Sequence, residues 1–402
     1  MQTILMEPSY YESFACLCDK CRNTCCKDWD IDFDKNDYDK LRSKRLPSDM
    51  QQKLRECIRR NKNSGEEKKY AIIRFDSKGN CPLINDEGFC SLQLTCGHET
   101  LPLICQSYPR NLVHFSGLLM RSCNNSCEET LKLLWEQREG LRFVRRTLNE
   151  REEKELLASK YLQEVLKSGY YAQHDIIRTL CIAILQNRSY ALPDRLLLLG
   201  FALKDLDAHS EESEYIPAWL RKYALLAEGD SQREMLESLP SNYDAAVLNA
   251  ISNLLSVLAV TRDKMRYFAT VFGNLGIVCE DEKISYINQN WLDASARLDK
   301  ILADSPLFME SLIINHMLVM CTPFSSNGIY SDYLALCNSY AMLRFAMVGF
   351  AAEGAGREDI FDGIVYMSRM LQHNSFVRNY CLSRLQDTET NTVAHMVFLL
   401  SI

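Results

Sequence analysis

Five thiols fall within eleven residues near the start of the chain, in Cys16-Leu17-Cys18-Asp19-Lys20-Cys21-Arg22-Asn23-Thr24-Cys25-Cys26, and twelve of the 17 cysteines lie at or before Cys127. Scattered cysteines read as small buried hydrophobes, but at two- and three-residue separations their sulfurs come close enough to share a metal ion or an iron-sulfur cluster. The thiols return in Cys81-Pro82-Leu83, in Cys90 after a turn at Asn85-Asp86-Glu87-Gly88, in Cys105, and in Ser126-Cys127-Glu128. That turn folds Cys81 and Cys90 back toward each other, as a knuckle-like metal site requires. A 4Fe-4S cluster takes four thiolates and a structural zinc takes four Cys or His ligands; spacing does not choose between them. The side chains of adjacent Cys25 and Cys26 diverge, so the two suit different sites, or one of them a buried role.

Other chemistry-bearing patterns are weak. The order Cys18-x2-Cys21-x3-Cys25 is the reverse of the C-x3-C-x2-C signature of radical cleavage, which sets that reaction aside. Gly354-Ala355-Gly356 follows an apolar helical pattern and lacks the third glycine of a dinucleotide fingerprint, so it reads as a helix stop. No P-loop, H-E-x-x-H or G-x-S-x-G occurs. His316 and His373 sit in helical surroundings and read as core histidines.

The elements that must hold the thiols look irregular. Residues 15–127 are punctuated by Gly, Pro, Asn and Asp, with short strands expected at residues 70–75 and 112–115 and a solvated helix and loop at 43–69. Such a segment has little apolar core of its own and calls for metal staples. From Glu128 the texture changes. Leu131, Leu134, Trp135, Leu141, Val144 and Leu148 suggest a helical seam in a charged background up to about Lys167. Ile176, Ile177, Leu180, Cys181, Ile184 and Leu185 form an apolar helix stripe, and further helices are expected over 196–206, 247–258, 307–320 and 333–352. Ser305-Pro306 gives the start of the 307–320 helix, with Ser as N-cap. The fold expected is mainly α: an irregular cysteine-rich metal- or cluster-binding region over residues 1–130, then a large all-helical domain over 131–402 suited to substrate docking.

Composition narrows the function classes. At 402 residues, 47% hydrophobic and 25% charged, the chain has the make-up of a globular protein with room for more than one domain. A formal charge of -7 argues against general affinity for nucleic acid or anionic lipid. The N-terminal residues have no secretory pattern, and the best membrane candidate, residues 340–352, is short and contains Arg344. A cytoplasmic location is expected, where thiols stay reduced, so the odd number of cysteines is better read as ligands plus core thiols than as disulfides.

The segments Pro8-Ser9-Tyr10-Tyr11-Glu12-Ser13-Phe14-Ala15-Cys16, Cys21-x3-Cys25-Cys26-x2-Trp29, Cys81-Pro82-Leu83, Gly88-Phe89-Cys90, Cys105-x2-Tyr108-Pro109-Arg110 and Ser126-Cys127-Glu128 resemble the bacterial flagellin lysine-N-methylases. The cysteine region of that family is in turn similar to a broad zinc- or iron-chelating family. Looser likeness surrounds Gln186-Asn187-Arg188 and His373-Asn374, so the resemblance runs over most of the chain but is specific in its first third. Cys18, Cys96 and Cys123 stand outside the family pattern, and Glu128 takes the place of an expected proline.

The resemblance implies a protein-lysine N-methyltransferase that moves a methyl group from S-adenosylmethionine to flagellin lysines. It also implies an iron-sulfur cluster of mainly architectural role. The ligands are then drawn from Cys16, Cys21, Cys25, Cys26, Cys81, Cys90, Cys105 and Cys127, four to a 4Fe-4S cluster, with zinc as the alternative metal. The attacking amine must be neutral, so a base or desolvation is needed; Asp28, Asp30 and Asp32 could serve, with exposed loop acids as the plainer reading. Trp29 and Tyr108 could face the sulfonium and Arg110 could hold the donor carboxylate. Two other readings stand beside this one: a redox or metal-handling iron-sulfur protein, and a non-enzymatic flagellin-binding module.

Overall fold

In this computed structural model the described residues are 3–27, 31–61, 70–115, 117–165, 173–240, 242–261, 265–280, 283–387 and 392–402. The strands are β1 (Ile4–Pro8), β2 (Asp32–Phe33), β3 (Ile58–Arg60), β4 (Ala71–Ile73), β5 (Arg110–Phe115), β6 (Leu118–Cys123), β7 (Phe143–Thr147), β8 (Leu162–Glu164), β9 (Val278–Glu280) and β10 (Lys283–Ser285). The first helices are α1 (Lys35–Ser43), α2 (Ser48–Cys57), α3 (Ser91–Cys96), α4 (Leu103–Ser107), α5 (Glu128–Trp135), α6 (Glu150–Leu157), α7 (His174–Leu185), α8 (Leu192–Ala208) and α9 (Ile216–Tyr223). They continue with α10 (Arg233–Glu237), α11 (Tyr243–Val260), α12 (Met265–Leu275), α13 (Asn288–Leu302), α14 (Phe308–Val319), α15 (Ile329–Phe350), α16 (Arg357–His373), α17 (Ser375–Asp387) and α18 (Val393–Leu400).

A mixed sheet of order β7-β1-β6-β5-β8 joins the two ends of the cysteine-rich region. β1 runs parallel to β6, and β5 pairs antiparallel with β6 and parallel with β8. Successive strand residues point to opposite faces. Leu5, Leu112 and Leu119 therefore cover one side, while Met6, Val113, Phe115 and Met120 pack on the helices. The boundary drawn at residue 130 passes through this sheet, because β7 and β8 follow it in sequence. The helical seam expected through Leu141, Val144 and Leu148 is instead this edge strand β7, with Val144 exposed, followed by the short helix α6. The clustered charges Arg145 and Arg146 leave β7 solvated on an edge, and the spacing of its neighbours mimics a helix.

The remaining cysteine-rich residues form a small lobe: a β2-β4-β3 sheet with α1, α2 and α3. It does have a core, built from Ile31, Phe33, Leu41, Leu54, Ala71, Ile73, Leu83, Leu92 and Leu101, with Cys57 and Cys81 buried among them. Residues 48–57, expected to be solvated, bury Met50 and Leu54 here; residues 62–69 of that expected helix and loop lie outside the described residues.

The helical part is organised on α15, which is buried on nearly every side and packs on α8, α11, α12, α13, α16, α17 and α18. A helix apolar all round is a central helix. None of the described helices is long and apolar enough to cross a membrane. The short pair β9-β10 interrupts the helices. Two local expectations fail. Ser305 does not cap α14; its Oγ donates to the Trp135 carbonyl at 2.6 Å, tying α5 to α14. Ile176, placed in the α7 stripe, is 50% exposed, while Cys181 is fully buried as expected.

Candidate functional site

Three features hold the first thiol loop against the rest of the chain. The backbone N–H groups of Arg22 and Asn23 donate to the buried Glu128 carboxylate at 2.8 and 3.1 Å, which a proline at position 128 could not offer. Arg22 pairs with Asp359 and Asp362 of α16, each at 2.9 Å, and Asn23 also donates to Asp362. From the same helix Arg369 donates to the carbonyls of Asn23 and Thr24, both at 2.9 Å. The second thiol segment is tied on by Cys81 N–H donating to the Cys26 carbonyl at 2.9 Å. Gly88, at φ +84°, closes the turn before Cys90 so near Asp19 that a Cβ there would lie 3.3 Å from it.

The eight cysteines fall into two neighbourhoods by the charges that act on them. Cys127 and Cys16 act on Cys21, and Cys127 also acts on Cys25. Cys26, Cys81 and Cys90 act on Cys105, and Cys26 also acts on Cys81 and Cys90. Cys25 and Cys26 share a sulfur hydrogen bond, and Cys105 reaches Cys25, so the pair is the seam between the two sets. Burial, then mutual repulsion, pushes Cys21 up to about 12, and burial likewise brings Cys81 to about 12. Cys26 alone moves down, to about 7, through the hydrogen bond from Cys25, with help from the Thr24 hydroxyl and the Arg369 charge. Thiols packed this way become thiolates together only against a bound cation. Among the described residues no group of three or more His, Cys, Asp or Glu side chains is placed to hold a metal ion. Cys18 is exposed, and Cys123 is buried beside Tyr10.

Beside the Cys127 loop lies a cavity of about 840 Å³, walled by β5, the segment around β8, the loop 321–327 and α14 to α17. Tyr108 and Arg110 line it, as do His316 and His373. The Tyr108 hydroxyl shares a 3.1 Å hydrogen bond with Ser126 Oγ, which in turn lies 2.6 Å from His373 Nε2. Arg110 donates to the Phe14 carbonyl at 3.5 Å and lies over the Phe14 ring. Burial, with Arg378 nearby, lowers His316 to about 4; burial, with Arg369 and Arg378 nearby, does the same for His373. Both are therefore neutral near pH 7. The neighbours of two lining residues, Asn124 and His316, join in a buried amide network: Tyr10 donates to Asn315 Oδ1 at 2.6 Å, and Asn315 Nδ2 donates to the Cys123 carbonyl at 2.8 Å and to Asn125 Oδ1 at 2.5 Å. The sequence Cys123-Asn124-Asn125-Ser126-Cys127 is thereby pinned to α14.

Of the residues singled out from sequence, Tyr108 and Arg110 meet in this cavity, next to Cys127 and Ser126. Asp28, Trp29 and Asp30 lie outside the described residues, and Asp32 sits on β2 in the small lobe. The two histidines read as core are both hydrogen bonded and buried or nearly so, yet they face the cavity. The paired polar residues Asn315-His316 inside the apolar run of α14 were the available signal.

Fold and site define a mainly helical protein carrying a lobe of thiol loops on one wall of a polar cavity. Residues 178–399 match the FliB lysine N-methylase C-terminal domain, over half of the chain, and the chain belongs to that family. Similar proteins include the lysine-N-methylases of Salmonella typhimurium strain LT2 and Salmonella choleraesuis, each 23% identical over 186 residues that make up 45% of this chain and 42% of the relative. The flagellar biosynthetic protein FliU of Salmonella muenchen is 27% identical over 126 residues, 31% of this chain and 72% of FliU. The chain thus spans less than half the length of the methylases it matches. No solved structure is significantly similar to it.

Proposed function

We propose that this protein is a cytoplasmic protein-lysine N-methyltransferase that uses S-adenosylmethionine and acts on flagellin. The observation that carries the reading is the cavity of about 840 Å³ at the junction between the thiol loops and a helical domain of the methylase family. The donor supplies an electrophilic methyl on a sulfonium; the methyl passes to the lysine Nζ, the sulfonium keeps the bonding pair as a neutral thioether, and the amine sheds a proton. Tyr108 offers a ring face to the sulfonium, and the uncharged His316 and His373 avoid repelling it. The partly enclosed cavity favours the neutral amine over the ammonium and sets the approach. Asp28 and Asp30, directly after the thiol loop, take the released proton in this proposal.

The donor chemistry of the eight thiols fits iron-sulfur ligation. Cys16, Cys21, Cys25 and Cys127 would hold one 4Fe-4S cluster, and Cys26, Cys81, Cys90 and Cys105 a second cluster or a zinc ion. Their role is to fix the loops that end at Ser126 and Tyr108. Incubating the purified protein with flagellin and S-adenosylmethionine should give methyl-sized mass increments on flagellin lysines by intact mass spectrometry. Unmodified flagellin, with the donor bound and iron in place, would leave only a binding role.

A further inference from the structure

Arg178 of α7 is only 1% exposed, and its Nε, Nη1 and Nη2 are all buried without a hydrogen-bond partner among the described residues. Its guanidinium lies against two rings that meet edge to face with centres 6.0 Å apart, 4.6 Å from the centre of Phe115 and 5.1 Å from that of Phe324. His174 closes the box, stacked on Phe115 at 4.7 Å and edge-on to Phe324 at 6.0 Å. The acid next to it in sequence, Asp175, is committed to Arg145 through hydrogen bonds of 2.8 and 2.6 Å. Ring faces answer the charge of a guanidinium but offer no oxygen to its N–H groups. A group that keeps its proton under all ordinary conditions and is buried in this way ordinarily faces an anion.

The position of Phe324 says where that anion comes from. The same ring that touches Arg178 also lines the cavity, whereas Arg178 itself does not, so Phe324 is a residue shared by the guanidinium and the cavity wall. Phe324 belongs to the loop 321–327, which begins at Cys321 with φ +58° and is held to α15 through Ser325 N–H donating to Asp332 at 2.8 Å. A non-glycine residue in the left-handed region is held there by its surroundings and is typical of ligand clamps. The other cationic groups of the cavity are occupied, Arg110 by Phe14 and Arg378 by the Gln372 carbonyl at 2.6 Å.

We propose that Arg178 is the anion-binding residue of this cavity, taking a ligand carboxylate on its two-pronged N–H edge when the Phe324 ring moves aside. A single guanidinium against apolar rings matches one monovalent, planar carboxylate; a phosphate dianion calls for a second cation. That the carboxylate is the amino-acid end of S-adenosylmethionine rests on the methyl-donor reading above, and it moves that role from Arg110 to Arg178.

The test uses the full chain with R178M and R178K. Calorimetric titration compares S-adenosylmethionine with its decarboxylated analogue, and thermal unfolding is followed with and without acetate. The wild type should prefer the carboxylate-bearing donor, and R178M should lose that preference, on the order of 10- to 100-fold in affinity, while binding the decarboxylated analogue unchanged. Unliganded R178M should melt no lower than wild type, since it removes a buried charge that has no hydrogen-bond partner. R178K should fold and fall between the two in affinity. An R178M that keeps the preference, or an R178K that binds as tightly as wild type, overturns the proposal. If the wild type binds neither nucleoside, the donor reading fails by itself. Stabilisation by acetate that disappears in R178M then upholds the anion site, and its absence in the wild type rejects it.

Discussion

Cysteine is distributed differently in the two halves of this molecule. In the helical half Cys181, Cys321 and Cys337 are buried apart from the thiol loops, and burial, as the main cause, brings them to about 12, 11 and 12; the smaller influences are the Arg178 charge on Cys181 and Cys321, the Asp332 charge on Cys321 and a Tyr333 hydrogen bond to Cys337. In the thiol loops the same residue type comes in neighbourhoods whose members act on one another, raising Cys21, Cys25 and Cys105 and lowering Cys26. The helical half is closed around a large continuous core centred on α15, whereas the small lobe has a modest satellite core with Cys57 and Cys81 inside it and Cys26, Cys90 and Cys105 packed against it. On the ligation proposed above, grouping and not burial is what separates a ligand cysteine from a packing cysteine.

The sharpest way to break that contrast is by substitution. Cys21→Ser or Cys105→Ser should strip iron and acid-labile sulfide from the purified protein, bleach its colour and abolish donor binding. Cys181→Ser should keep all three, at a cost of roughly 1–3 kcal/mol in unfolding free energy for an uncompensated buried hydroxyl. Iron and sulfide assays with donor titration decide it. A colourless, folded Cys21→Ser protein that still binds the donor would remove the architectural role assigned to the loops.

A smaller effect separates the halves by pH. His316 of α14 has its pKa lowered to about 4 from an ordinary 6.5, by burial first and by the Arg378 charge second. Below pH 6.5 the unfolded chain binds the proton that the folded state resists, so stability is lost as pH falls from about 6.5 toward 4. Between pH 7 and pH 5 the loss from this one group is on the order of 2 kcal/mol. His373, lowered to about 4 in the same way, adds a like slope, so urea unfolding monitored by helix signal should show both contributions and His316→Gln should remove about half of the total. An unchanged slope in the variant would place the acid sensitivity elsewhere.

The sequence made the long periodic helices legible, because α7, α8, α11, α14 and α15 each carry enough apolar turns to show their period. The thiol loops were legible for a different reason: cysteine at short spacing is rare and has few uses. The mixed sheet was not, since β1 finds its partners at residues 118–120 and 143–147, and such pairings leave no local trace. β7 was read as helix because Leu141, Val144 and Leu148 happen to be three or four apart. The cavity was invisible for the same reason as the sheet. Tyr108, His316, Phe324 and His373 come from four separate segments, and each one looks like ordinary packing in its own. Tyr108 and Arg110 were found only because they follow a cysteine.

The smallest expected effect lies at the joint between the halves. Arg22 is exposed, and its ion pairs to Asp359 and Asp362 of α16 are of a kind that contributes roughly 0–1 kcal/mol. Arg22→Ala should therefore leave the unfolding midpoint of the helical half nearly unchanged. The same side chain nevertheless fastens the Cys21–Cys25 loop to the helix that ends at His373, together with Asn23 and Arg369. If the loop is ordered by the group it binds, loosening the joint should act on that binding: Arg22→Ala should lose iron to a chelator a few-fold faster than wild type at equal global stability. Equal rates of iron loss would mean that the thiol loops are set by their own ligation and owe nothing to α16. A drop in the helical midpoint of several degrees would mean that the two halves share one cooperative core.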